Sequence, residues 1–377
     1  MKNIDTEKFI CLIMSAVTVL LTVLYKDSLC VPVAKICGAV LSGGAQGEVL
    51  QKSESVRGEL SQNAAAETLS GFAGGAAFSQ DEQKLTDTPD DIKKLMAQAQ
   101  SKYASFKKSG DISEKQFGAS SLTLQYGRVK LDDKTDSHKP DIKTLLEKRP
   151  SLGTVTKDEP YILIYHTHTT EGYELLDKGW YSNDYDSRTE DGSKTVVRVG
   201  DAICERLEKA GYNVIHDKTV YDASYNGAYS RSLITVEKTL KKYPSIMITL
   251  DVHRDAIHYD SGTKCKPTAV IDGKKAAQVM IISGCEEGDI TDFGNWEQNL
   301  VFALALQNAA EERFEGLMRP VFFCRRKYNM NVTPCSLLLE FGTDANTLEE
   351  AVYSGSMIGE ALAGLLDADM KKNAEKG

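Results

Sequence analysis

Tyr161-Ile-Leu-Ile-Tyr-His166-Thr-His168-Thr-Thr-Glu171 is the stretch that sets the fold class. The run 161–165 is continuously apolar, the pattern of a strand buried on both faces. It then breaks into a polar cluster holding two imidazoles and a carboxylate. A second strand, Ile246-Met-Ile-Thr-Leu-Asp-Val-His253-Arg254-Asp255, ends the same way. The chain has six histidines in 377 residues, and three of them sit at these two strand exits. In open α/β sheets, ligands bind at the carboxyl ends of the strands.

The elements around these strands alternate. Region 195–210 puts Val196, Val199, Ile203 and Leu207 on one helical stripe, and Gly211 stops it as a C′ residue. Strands are predicted at 212–215, 246–252, 278–283 and 336–341, and helices at 230–242 and 296–314. Thr347-Leu-Glu-Glu350 fits a capping box opening a helix that carries Val352, Leu362 and Leu365. Strands alternating with helices predict an α/β fold, a mostly parallel central sheet with helices on both faces, over 155–377. A lead-in at 121–154 contains a short strand pair at 122–131. Region 90–108 predicts an amphipathic helix through Ile92, Leu95, Met96, Ala99 and Tyr103.

The N-terminal part reads differently. Segment 9–25 is almost wholly apolar, and at about 1.5 Å per residue it spans roughly 25 Å, enough for a single membrane pass. Tyr25, Lys26 and Asp27 suit an interface. No small-x-small cleavage site follows promptly, because Pro32-Val33-Ala34 puts proline where a small residue is wanted. The expectation is therefore an uncleaved anchor, a short cytoplasmic tail at 1–8 and an extracytoplasmic body. Region 26–120 reads as a flexible linker, richest in Gly, Ala, Ser and Gln at 42–80. The net charge of −9 argues against nucleic acid as a partner. The eight cysteines form no C-x-x-C pair, so no zinc knuckle or redox motif is supported, and a Cys324–Cys335 disulfide stays open.

His166 and His168 share one face if the strand persists past Tyr165. Glu171 offers a hard oxygen, and His253 lies on the face of Met247, Thr249 and Asp251. Three such ligands around one open position is the arrangement of a catalytic zinc, which acidifies water for attack on a carbonyl. A lone histidine at a strand end is more often a satisfied hydrogen-bonder; H-x-H-x-x-E together with D-x-H-R-D favours the metal. His138, His216 and His258 lack such company and read as structural. Glu340 ends the apolar strand Leu337-Leu-Leu-Glu340-Phe-Gly342, where a general base is needed, a structural ion pair being the plain alternative. Arg254 and Asp255 either orient ligands, bind a substrate carboxylate or form a salt bridge. Loop 172–194, with Trp180, Tyr181, Tyr185 and Arg188, is long, aromatic and polar, which suits a groove wall or lid, and Arg188 is a substrate-binding candidate.

These motifs resemble the stage II sporulation protein P family, a branch of the zinc N-acetylmuramoyl-L-alanine amidases. The resemblance is carried by Leu163-Ile-Tyr-His-Thr-His-Thr-Thr-Glu171-Gly-Tyr, Asp251-Val-His-Arg-Asp255, Tyr328-Asn329 and Leu338-Leu-Glu340-Phe-Gly342 followed by Asn346. It spans residues 120–366. Gly172, where members often carry serine, and Phe341, where they carry valine, are mild departures. The resemblance implies cleavage of the MurNAc–L-Ala amide bond of peptidoglycan, with endopeptidase activity on stem peptides, at the sporulation septum and engulfing membrane. It implies stage II sporulation proteins D and M as partners. It puts His168 in the first zinc-ligand slot, His253 in the later one and Glu340 as base. Whether Glu171 or a later carboxylate completes the set stays open, as does whether His166 is a ligand or a partner fixing ring orientation. Asn346 joins the substrate-side candidates. A membrane-anchored, non-enzymatic scaffold is the competing reading, and a zinc carboxypeptidase or endopeptidase is a third.

Overall fold

In chain order the elements begin α1 (Asp90–Tyr103), β1 (Gly110–Lys115), β2 (Leu124–Tyr126), β3 (Val129–Lys134), α2 (Ile142–Glu147), β4 (Ile162–Tyr165) and β5 (Trp180–Tyr181). They continue with α3 (Val196–Lys209), β6 (Val214–His216), α4 (Ala228–Lys242), β7 (Ile248–Asp255), β8 (Lys264–Ile271) and β9 (Lys274–Ala277). The last are β10 (Val279–Gly284), α5 (Trp296–Arg313), β11 (Val321–Cys324), β12 (Cys335–Thr343) and α6 (Leu348–Ala374). The computed structural model describes residues 84–375, so the expected anchor at 9–25 and the tether at 42–80 lie outside the described residues. No described helix is long and apolar enough to cross a membrane.

The main sheet has eight strands in the order β2-β3-β11-β10-β12-β7-β4-β6. β4 pairs in parallel with β6 and β7, β7 with β12, and β11 with both β3 and β10. β10 runs antiparallel to β12, and β2 to β3. The sheet is thus mixed, which corrects the expectation of a mostly parallel one. The cause lies between β7 and β10. Parallel neighbours need a crossover connection, usually a helix, but here the chain passes through the β8–β9 hairpin instead. Asp272 and Gly273 turn that hairpin with positive φ (49° and 78°), the geometry a two-residue loop prefers. These strands belong to a second sheet, β5-β1-β8-β9.

Alternation along the central strands divides the core. Ile162, Ile164, Ile248, Leu250, Val252, Leu337, Leu339 and Phe341 join the large apolar cluster with residues of α3, α5 and α6. Leu163 and Tyr165 pack on the other face with Val236 of α4 and Ile246. By the same period of two, Asp251 and His253 of β7 share that second face with Leu338 and Glu340 of β12. The register sets Glu340 directly beside His253. The site therefore opens on the α4 face, at the exits of β4, β7 and β12.

Local signals are realised at several boundaries. Thr347 and Glu350 satisfy each other at the start of α6: the Thr347 N–H donates to Glu350 Oε2 (3.0 Å) and the Glu350 N–H to Thr347 Oγ1 (3.2 Å). Gly211 (φ 88°) closes α3, with the Tyr212 N–H donating to the Leu207 carbonyl at 2.9 Å. The cysteines at 204, 265, 285 and 335 are buried free thiols, so the Cys324–Cys335 pairing is not made.

The linker expected up to residue 120 folds onto the body from α1 onward. Ile92, Ala99 and Tyr103 are buried, Arg198 holds Asp91 at 2.7 Å, and β1 pairs with β8. Likewise β3, in the expected lead-in, is a strand of the main sheet, so no domain edge falls at 155. An amphipathic stripe marks the helix, but nothing in it says which surface it covers.

Tyr103 seals this docking by donating to Glu174 Oε2 at 2.8 Å. Glu174 is 3 % exposed, and burial, partly offset by that hydrogen bond, pushes its pKa up to about 7. An acid whose folded pKa lies above its unfolded value loses stability as pH rises between the two. From pH 4.5 to 7, stability should fall by about 3 kcal/mol from this group alone. Glu174→Gln should remove that slope in denaturant titrations at a series of pH values. An unchanged slope would show that the carboxyl is already ionised in the fold.

Candidate active site

The loop after β4 does not continue the strand. Residues 167–170 turn, with the Glu171 N–H donating to the His168 carbonyl at 3.1 Å. This separates the two histidines that a persisting strand would have put on one face. His166 keeps the β4 alternation and points toward α3. His168 swings to the α4 face, its ring centroid 5.3 Å from that of His253.

His166 has both ring nitrogens engaged elsewhere. Nδ1 lies 2.9 Å from the Val252 carbonyl, and Nε2 lies 2.8 Å from His216 Nε2. His216 in turn faces Asp201 Oδ1 at 3.1 Å. Burial, reinforced by His216, holds the His166 pKa well below its ordinary value. Gly200 of α3 makes room for the pair, since a Cβ there would sit 2.6 Å from His216 and 2.9 Å from His166. Asp201 opens onto a groove of about 720 Å³ lined also by Thr169, Gly192, Arg198 and Lys218, distinct from the imidazole cluster. The expectation of His166 as a direct ligand gives way to a partner set behind the strand exits.

His168, Glu171 and His253 do come together. His253 Nδ1 is 3.2 Å from Glu171 Oε2, and its Nε2 is 2.8 Å from Asp251 Oδ1. Burial opposes a charged ring, yet Asp251 and Glu171 together hold the His253 pKa well above its ordinary value. Burial likewise opposes ionisation of Glu171, but His253, His168 and Arg254 hold its carboxyl below the usual carboxylate range. Glu340, 7 % exposed, is pushed the other way, by burial first and then by the charges of Asp255 and Glu171. Its Oε2 is buried without a hydrogen-bond partner. Two carboxylates at one site are thus driven apart, one kept ionised and one kept protonatable.

The other expected site residues are placed around this cluster. Arg188 bridges Asp222 (2.9 Å) and Glu171 (3.2 Å) while remaining about a third exposed. Arg254 is buried; its N–H donates to Glu171 Oε2 at 3.2 Å and its Nε to the Gly172 carbonyl at 2.6 Å, so it orients Glu171. Gly172 has no space for a side chain, because a Cβ would collide with the Ser187 carbonyl. Asp255 pairs with Arg319 at 3.0 Å. Asn346 is buried away from the cluster, bonding the Thr343 N–H, the Pro267 carbonyl and Glu350. Its expected contact with substrate is replaced by a role in the turn into α6. His138 and His258 bond the Glu286 carbonyl and Asp344.

Beside Tyr328, an aromatic rim is built from Tyr225 and Tyr229, which no sequence periodicity marks. Tyr225, half exposed, stacks on the His168 ring at 4.5 Å with an interplanar angle of 2°. Tyr229 stands 5.6 Å from His168 and stacks on Tyr328 at 5.1 Å. Tyr328 and Asn329 both have positive φ (42° and 57°), a strained pair anchored by Asn329 Nδ2 donating to the Tyr229 carbonyl at 3.0 Å. By their chemistry two imidazoles and a carboxylate are a donor set suited to a divalent metal, and the orphaned Glu340 oxygen belongs to the residue directly cross-strand from His253. Among the described residues, no group of three or more His, Cys, Asp or Glu side chains stands at metal-holding spacing as the side chains are placed.

Comparison with known proteins agrees with the motifs. The family model for Stage II sporulation protein P matches residues 66–363. The Stage II sporulation protein P of Bacillus subtilis (strain 168) is 30% identical over 243 residues, or 61% of this chain and 57% of that protein. The chain thus matches little more than half the length of that relative. Among solved structures, the N-acetylmuramoyl-L-alanine amidase AmiC2 of Nostoc punctiforme overlaps with a TM-score of 0.31 at 11% identity, covering 59% of this chain and 99% of that one. The CwlD amidase from Clostridioides difficile, solved with the GerS lipoprotein, gives 0.33 at 14%, covering 58% and 100%. The match over residues 66–363, running through every strand exit that builds the cluster, means that the chain belongs to the stage II sporulation protein P family.

Proposed function

We propose that this protein is a zinc-dependent N-acetylmuramoyl-L-alanine amidase that cleaves the MurNAc–L-Ala bond of peptidoglycan during sporulation. The observation that carries the reading is Glu340: a buried carboxyl with an unpartnered oxygen, cross-strand from an imidazole that touches Glu171. His168, Glu171 and His253 would hold the ion. When bound, zinc supplies Lewis acidity to the scissile carbonyl and to water.

The remaining work falls to the chain's own side chains. Glu340 takes a proton from the attacking water and delivers it to the leaving amine nitrogen. Its raised pKa suits both halves, since a base that is too acidic would not return the proton. The Arg254 N–H and Arg188 steer Glu171. Tyr225, Tyr229 and Tyr328 shape the wall against which substrate lies.

The reading extends to endopeptidase activity on stem peptides, stage II sporulation proteins D and M as partners, and a single-pass anchor at 9–25 with the body outside the cytoplasm. A non-enzymatic scaffold is disfavoured by the cluster itself, because burying charged groups is costly unless they are used. Incubating the protein with muropeptides of known linkage and weighing the products tests it. An amidase releases stem peptides beginning at L-Ala. Products cut only between stems would make it an endopeptidase, and intact muropeptides would leave the scaffold.

A further inference from the structure

Each imidazole of the cluster has a carboxylate behind it, and each carboxylate is clamped by one threonine of the His166–Glu171 loop. Asp251, fully buried, accepts from the Thr167 N–H at 2.8 Å and from the Thr167 hydroxyl at 2.7 Å, and lies 2.8 Å from His253 Nε2. Asp222 accepts from the Thr170 N–H at 3.0 Å and the Thr170 hydroxyl at 2.7 Å, and lies 3.7 Å from His168 Nδ1. Those two ring nitrogens are both buried, and neither has a well-aligned hydrogen bond. Asp251 is near enough but off the N–H axis, and Asp222 is slightly too far.

We propose that Asp251 and Asp222 are positioning residues that fix the two imidazoles in opposite tautomers, His253 protonated on Nε2 and His168 on Nδ1. The inference rests on the zinc reading above. A neutral imidazole carries one N–H, and the carboxylate that accepts it decides which nitrogen is left bare. Asp251 leaves His253 Nδ1 bare, the nitrogen already 3.2 Å from Glu171 Oε2. Asp222 leaves His168 Nε2 bare. The threonines of the loop thereby acquire a function that their chemistry alone would not suggest. They tie the carboxylates to the same backbone turn that carries His168, so both rings are set by one loop. Arg188, bonded to Asp222 and Glu171 together, couples that clamp to the third donor.

The test uses the full chain loaded with zinc and labelled with ¹⁵N at histidine. Long-range imidazole spectra should show the His253 proton on Nε2 and the His168 proton on Nδ1, a mixed pair that a merely structural role does not require. Asp251→Asn and Asp222→Asn should each weaken zinc binding, measured by chelator competition, by about 10- to 100-fold. The variants should also lose the corresponding N–H resonance. Both protons on like nitrogens, or variants that hold zinc as tightly as the parent, would overturn the proposal while leaving the amidase reading intact. A parent chain that binds no zinc would overturn both. Should Asp251→Asn fail to fold, the tautomers of the parent still decide.

Discussion

Replacing Glu340 with glutamine should lower amide hydrolysis by roughly 10²–10⁴-fold, the usual contribution of a positioned acid–base group, while bound zinc stays stoichiometric. Glutamine keeps the shape but can neither take nor return a proton. The same change should raise stability in the metal-free protein. Burial and the Asp255 charge lift the folded pKa of Glu340 above its ordinary 4.5, so its stability deficit grows as pH rises through that value toward the raised one. Glutamine has no such deficit. Parent and variant should therefore unfold at the same denaturant concentration near pH 4 and diverge in favour of the variant above neutrality. Loss of activity with a gain in stability is the signature of a group held for chemistry at the expense of the fold. Near-parental turnover by a zinc-loaded variant would remove Glu340 from the mechanism.

Why these residues could be picked out of the sequence, and others not, follows from what local pattern encodes. His253 and Glu340 are polar groups ending apolar strands, and period two alone predicts that they share a face if their strands are neighbours. The adjacency of β7 and β12 then sets them side by side. His166 could not be sorted from His168 in this way, because the answer depends on where β4 stops. It stops at Tyr165, and the turn at 167–170 sends the two rings to opposite faces of the sheet. Asp222 and Tyr225 lie on the connection between β6 and α4, where no periodicity operates. They reach His168 only because the loop is folded back by Thr170 and Arg188. The antiparallel β10 was hidden for a different reason. The Asp272-Gly273 pair is a strong hairpin signal, but the apolar run at 278–283 taken alone fits one strand of a βα alternation equally well.

His253→Ala should abolish zinc binding and, with it, activity, and elemental analysis of the purified variant checks this directly. The ring touches Glu171 through Nδ1 and Asp251 through Nε2, so its loss does more than remove one ligand. Two buried carboxylates are left facing each other across a cavity. Breaking a buried pair by deleting one partner costs about 3–5 kcal/mol. The lower end is expected here, because Asp251 keeps Thr167, and Glu171 keeps Arg188 and the Arg254 N–H. The pH dependence has a definite sign in the metal-free protein. The folded pKa of His253 lies well above its ordinary 6.5, so its contribution is fully present below that value and is lost as pH rises through the raised one. The gap between parent and variant should accordingly narrow in alkali. Zinc must displace the ring proton, so its uptake by the parent should release protons and weaken in acid. Added zinc should raise the melting temperature of the parent by mass action and leave that of the variant unchanged. His258→Ala, which removes a half-exposed ring bonded to Asp344, should change neither zinc content nor the zinc-dependent shift. A His253→Ala protein that retained parental zinc would break the link between the two strand exits on which the proposed chemistry depends.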